Sequence, residues 1–171
     1  MSNSSSEDTQ LEPGAETRSN SSSSNLESRR KNYPARFKNL DRVRGFVGQA
    51  ADDSGLGPDA QYQVQLAVDE AFSNIVEHAY GGESDEEIEV TCILADDGLT
   101  IKLRDCGVVF NPKDVPDPDL EAELHERQIG GLGLYFIRQL MDEVEFTFDK
   151  DVPGQHGCNL LKMVKFKETK D

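Results

Sequence analysis

Glu70, Asn74 and Glu77 recur at i, i+4 and i+7 within "LAVDEAFSNIVEHAY" (66–80), and His78 stands beside them. On a helix turning about 100° per residue, the first three lie within about 40° of one line and His78 at its edge. A carboxylate in such a row can take a proton from a hydroxyl, which makes Glu70 a candidate general base. The amide oxygen of Asn74 can ligate a hard cation such as Mg²⁺. The opposite stripe, Val64, Val68, Ala71, Phe72, Ile75 and Ala79, is apolar and must pack on a neighbour. This helix alone leaves a solvated face and a site equally open. Two details speak for the site: Leu66 and Ala67 interrupt the polar face, and from Gly45 to Ile101 there are thirteen carboxylates and no lysine or arginine. A merely solvated helix more often carries Glu/Lys pairs. For His78 a hydrogen-bonded structural role is the simpler reading.

Two further stretches add chemistry. In "LTIKLRDCG" (99–107), period-two alternation places Leu99, Ile101 and Leu103 on a buried face, and Asp105 follows in the same row. A carboxylate there needs a donor, because burying it unpaired is costly or forces it to take up a proton. That donor is an internal partner, water at the strand end, or the amino group of a ligand, with Gly107 letting a flat ring approach the backbone. Gly130, Gly131 and Gly133, with Leu132 between them, lead into the helical pattern "LYFIRQLM". Glycines before a helix can present backbone N–H groups to phosphates. The stretch has neither the GK[ST] of a Walker loop nor the GxGxxG of a dinucleotide turn.

The elements that must hold these residues follow from the same patterns. A helix is expected over 39–51, stopped by "SGLGP", and a second from Ala60 to Tyr80, capped by Asp59 and ended by Gly81 and Gly82. "EEIEVTCIL" and "LTIKLRD" alternate as two strands of a hairpin turning at "DDG" (96–98). Residues 111–128 hold three of the seven prolines and six carboxylates against Lys113 and Arg127, the composition of a lid. A short helix over 134–141 and strands near 143–148 and 159–166 complete the order. The economical arrangement is α+β: a two-layer α/β sandwich whose mixed, mostly antiparallel sheet carries helices on one face. Residues 1–31 are read as a disordered tail, ten serines falling in the first 28, and 32–171 as one domain.

Composition narrows the function. Eighteen basic residues stand against 33 acidic, a net charge of −15, which argues against direct binding to nucleic acid or an anionic membrane. No apolar run approaches the roughly 18 residues of a membrane span, so a cytoplasmic protein is expected. Cys92, Cys106 and Cys158 are odd in number and far apart, which suggests reduced thiols rather than a disulfide framework or a zinc site.

Taken in order, "DEAFSNIVEHAY" resembles the N box of the GHKL ATPases, "DCGVVFNP" their G1 box, "GGLGLYFIRQLMDEVEF" their G2 box and "GCNLLKMVK" their closing strand. The wording "NIVEHAY", "FNP", "VPDPDL" and "GGLGL…LMDEV" is most similar to the bacterial anti-sigma-factor serine kinases of the RsbW type, over about residues 36–166. The resemblance implies a GHKL (Bergerat) fold binding ATP and Mg²⁺. It implies Glu70 as the base that activates a hydroxyl and Asn74 as the metal ligand. Asp105 would take the adenine amino group, Gly107 would pack beside the ring, and Gly130, Gly131, Leu132 and Gly133 would border the phosphates. Arg127, one of two basic residues in the lid, is a candidate for the γ-phosphate. Val109 departs from the DxGxG that many members carry, as it often does in the anti-sigma kinases.

The expected function is therefore that of a partner switch, which phosphorylates a serine on an anti-anti-sigma protein of the STAS type and otherwise sequesters a sigma factor. A homodimer is implied by the resemblance alone. Two alternatives stand beside this: a nucleotide-gated binding module that transfers nothing, and a histidine-kinase-like ATPase domain. The last would need an upstream phosphoacceptor histidine, and none precedes His78.

Overall fold

Alternation builds the centre of the sheet as expected. In the computed structural model, which describes residues 26–115, 131–151, 154 and 156–168, five strands and three α-helices follow the order β1 (Glu27–Pro34), α1 (Leu40–Asp53), α2 (Pro58–Asn74), β2 (Glu87–Ala95), β3 (Gly98–Asp105), α3 (Leu132–Leu140), β4 (Glu143–Asp149) and β5 (Cys158–Phe166). The sheet runs β1-β2-β3-β5-β4. Every described pairing is antiparallel, so the mixed sheet expected from sequence is purely antiparallel here.

One face of the sheet is the floor of the core. Ile88, Val90, Cys92 and Leu94 of β2, Leu99, Ile101 and Leu103 of β3, and Leu161 and Met163 of β5 are all buried. Helix α1 packs on β2 and β3 and against α2, and α2 packs against α3. The opposite face carries side chains such as Glu89, Lys102, Arg104 and Lys162, none of them buried, so the helices form a single layer. Helix α2 contributes Val64, Ala67, Val68, Ala71 and Phe72 to the core, the stripe its spacing predicts. Removing a side chain such as Phe72, which is fully buried, typically costs about 3–5 kcal/mol.

Four expectations change. Strand β1 starts at Glu27, so residues 27–31, read as part of the tail, belong to the sheet. It is an edge strand held by backbone pairing with β2, and only Tyr33, 3% exposed, buries a large apolar side chain. Its composition is therefore that of a loop. Residues 1–25 lie outside the described residues. Helix α2 begins at Pro58 with Gly57 as its N-cap, and Asp59 sits in the first turn instead of capping. It does not run as an α-helix to Tyr80: from Ile75 to Ala79 it widens into a π-helical turn, with Tyr80 N–H donating to the Ile75 carbonyl five residues back at 3.1 Å. Helix α3 starts at Leu132, two residues before its apolar pattern, with Gly131 in the left-handed region (φ 83°) as its N-cap.

Candidate active site

The three chemical stretches converge on one cavity of about 570 Å³, between the end of α2, the end of β3 and the start of α3. That is the size of a small-molecule site, roughly 300–1,000 Å³. Glu70, Asn74, Asp105, Gly131, Leu132 and Gly133 all line it, with Glu77 and His78 on the same rim. Gly130 and Arg127, and the lid from residue 116 onward, lie outside the described residues.

Helix α2 sets the first wall. Glu70 is half-buried, and that burial, reinforced by the charges of Glu77 and Asp69, raises its carboxyl above the usual range, while His78 pulls it down. Helix α3 comes so close that a Cβ built on Gly133 would overlap Glu70 Oε1 and lie 3.0 Å from Asn74 Nδ2. The glycine thus clears space around the Glu70 carboxylate and the Asn74 amide at a helix N-terminus. Arg44 of α1 is one of the cations that reach the acidic stretch from outside it: its Nε and Nη2 donate to Asp69 Oδ2 at 2.8 and 2.5 Å. It pairs with Asp69, leaving Asp69 Oδ1 buried and unpartnered. Glu70 and Asn74 keep their polar atoms toward the cavity side of the helix, where they meet Gly133.

The second wall is the end of β3. Asp105 is 4% exposed, as its place in the buried row predicts. Its donors are internal: Asn159 Nδ2 at 2.9 Å and Gly107 N–H at 3.0 Å, both to Oδ1. Burial raises its carboxyl above the ordinary aspartate range, and these two hydrogen bonds work in the opposite direction. Among the described residues no donor reaches Oδ2, which leaves that oxygen for a ligand donor. Gly107 does not line the cavity. A Cβ on it would overlap the Ala79 carbonyl, so its bareness admits the π-helical turn, whose Ala79 oxygen accepts from Val108 N–H at 2.8 Å. The cavity wall there is Val108, Val109 and Phe110, with Phe110 against Phe146 at 5.1 Å between ring centroids.

Sequence reasoning missed Asn159. At 8% exposed it donates to Asp105 and to the Val108 carbonyl, each at 2.9 Å, and accepts from Phe110 N–H at 2.9 Å. One amide thereby fixes the whole turn from Asp105 to Phe110. The signal was present: Asn159, Leu161 and Met163 form one period-two row, and a buried asparagine in such a row requires polar partners. Tyr80 was missed as well. Its hydroxyl accepts from Cys106 N–H at 3.2 Å and donates to the Glu87 carbonyl at 3.1 Å.

The thiol expectation is overturned. Cys106 and Cys158 form a disulfide, with Cα atoms 4.0 Å apart and a sequence separation of 52. Sequence distance hid the fact that β3 and β5 are neighbours whose register pairs Asp105 with Asn159, which puts the flanking cysteines side by side. Cys92 is the remaining thiol, buried in the core, where desolvation pushes its pKa up to about 12.

A family model described as the histidine kinase-like ATPase domain matches residues 33–165. The chain belongs to that family, on its RsbW-like branch. It is 32% identical over 123 residues to the serine-protein kinase RsbW of Listeria monocytogenes serovar 1/2a, covering 70% of this chain and 78% of that protein. It is 32% identical over 121 residues to the protein of the same name from Bacillus mycoides, covering 68% and 75%. The fold agrees with a GHKL ATPase domain, and every described cavity residue lies within the matched stretch, from Glu70 to Leu161.

Proposed function

We propose that the protein is an ATP- and Mg²⁺-dependent serine kinase that phosphorylates an anti-anti-sigma protein of the STAS type and otherwise holds a sigma factor inactive, in the cytoplasm. The observation that carries this reading is the meeting of Glu70 and Gly133: a carboxylate of raised pKa beside a glycine-led helix N-terminus, within one cavity. The relatives' name, serine-protein kinase, supports it.

The residues fit the nucleotide. Asp105 Oδ2 would accept from the adenine amino group, and the apolar wall at Val108 to Phe110 would lie along the base. Backbone N–H groups at Gly131 and Gly133 suit phosphate oxygens, because neither residue places a side chain in the way. Asn74 would hold Mg²⁺ through its amide oxygen, and the chemistry supplied there would be neutralisation of phosphate charge. Glu70 takes the proton of the attacking serine hydroxyl as its oxygen bonds to the γ-phosphorus and ADP leaves. Its raised pKa makes it a stronger base than an ordinary carboxylate.

Incubation with labelled ATP and a candidate anti-anti-sigma protein tests the reading. Label on a serine is expected. A tight, nucleotide-dependent complex without label would instead establish a binding module that transfers nothing.

A further inference from the structure

The cysteine pair stands in the sheet where breaking a bond would disturb the base end of the cavity. The last rung of the β3–β5 ladder pairs Asp105 with Asn159, and the Cys106–Cys158 bridge is the next rung beyond it. Four hydrogen bonds of the turn that follows depend on that rung, beside the Val108 N–H bond to the Ala79 carbonyl. Gly107 N–H donates to Asp105, Phe110 N–H donates to Asn159, and Asn159 Nδ2 reaches both Asp105 and Val108. We infer that Cys106 and Cys158 form a reversible redox site, whose disulfide holds the base-binding end in order and whose reduction loosens it and weakens nucleotide binding. This rests on the nucleotide reading of the cavity.

Two observations, and the proposed cytoplasmic location, separate such a site from a permanent staple. Cys106 is partly exposed while Cys158 is buried, so a reagent can reach one sulfur and has a defined leaving group on the other side. The only other cysteine, Cys92, is buried in the core with its thiol held protonated, so it does not compete in exchange. In reducing compartments, bridges of this kind are characteristically transient and redox-sensing.

The exchange balances with a dithiol as the reductant. Its thiolate attacks Cys106 Sγ, the Cys106–Cys158 bond breaks, and Cys158 leaves as a thiolate that takes up a proton. The reductant's second thiol then attacks the mixed disulfide and releases Cys106. Two electrons and two protons pass to the protein and the dithiol becomes a cyclic disulfide. Oxidation runs in reverse with a small disulfide such as oxidised glutathione. With the bridge open, the Asp105–Asn159 rung becomes a frayed ladder end.

The test uses the full chain in both states, oxidised with glutathione disulfide or reduced with dithiothreitol. Alkylation under denaturing conditions reports the state, one cysteine modified when oxidised and three when reduced. Binding of ATP is expected to be roughly three- to tenfold weaker in the reduced protein, the effect of loosening one anchoring hydrogen bond. Cys106→Ser and Cys158→Ser should bind like the reduced protein whatever the oxidant, with a cooperative thermal transition showing that they fold. Equal affinity in the two states, or three alkylated cysteines after oxidation, overturns the redox site and leaves the nucleotide reading standing. Failure to bind ATP in either state overturns both.

Discussion

Gly133 stands so close to Glu70 that one methyl group on the glycine would occupy the space of the Glu70 carboxylate oxygen. Two helices far apart in sequence thus share a contact that only a residue without a side chain permits. Substituting Gly133 by alanine should separate stability from chemistry. Alanine favours a helix over glycine by up to about 1 kcal/mol, so the thermal midpoint should hold or rise. Displacing Glu70 by roughly an ångström should slow transfer up to about a hundredfold. A variant that transfers phosphate at the parental rate would show that Glu70 does not need this position.

Glu70→Gln keeps the shape and removes the base. ATP affinity should stay within about twofold, while turnover falls by about 10² to 10⁴. Single-turnover transfer with bound nucleotide measures this, and an unchanged rate would take the role away from Glu70.

The pH profile carries the same residue. Glu70 must be ionised to accept a proton, and its pKa is raised first by burial and then by Glu77 and Asp69. The rate should therefore fall with decreasing pH along a limb lying above the ordinary glutamate value of about 4.3. Glu77→Gln removes one of the like charges and should move that limb to lower pH. Stability has the opposite sign. The folded state holds protons on Glu70 and Asp105 more tightly than the unfolded chain does. Their contribution to stability is thus lost as pH rises through the raised pKa values, and chemical denaturation across that window should report the decline.

Asp105→Asn tests the base-binding end. Asp105 Oδ1 already accepts from Asn159 and Gly107. The amide oxygen of an asparagine would be held by those two donors, which turns its NH₂ toward the cavity and against the adenine amino group. ATP binding should weaken roughly ten- to a hundredfold. GTP, which presents an acceptor at the same ring position, should lose less, so the ratio of the two affinities is the informative measurement.

The lining of the cavity was legible in the sequence where the signal was local. Glu70 and Asn74 declared themselves by helical spacing, Asp105 by its place in an alternating row, and Gly131 and Gly133 by their position before a helix. What stayed hidden depends on neighbours distant along the chain. Asn159 and the cysteine bridge make sense only once β5 lies beside β3. Strand β1 is an edge, so its side chains never had to record burial. The π-helical turn has no compositional mark, because Ile75 to Ala79 would suit an α-helix equally well.

That turn has a mechanical consequence. Glu70 and Asn74 lie on the same helix whose widened end offers the Ala79 carbonyl to Val108, three residues beyond Asp105 at the end of β3. Helix α2 is therefore a ruler, with Glu70 and Asn74 graduated along it and the loop after Asp105 fastened at its end. Closing that turn into an ordinary α-helix over the same residues would add rotation at each of them and carry the Ala79 carbonyl away from Val108 N–H. Every charged group of the cavity would remain, yet the two ends of the gauge would no longer measure the same molecule.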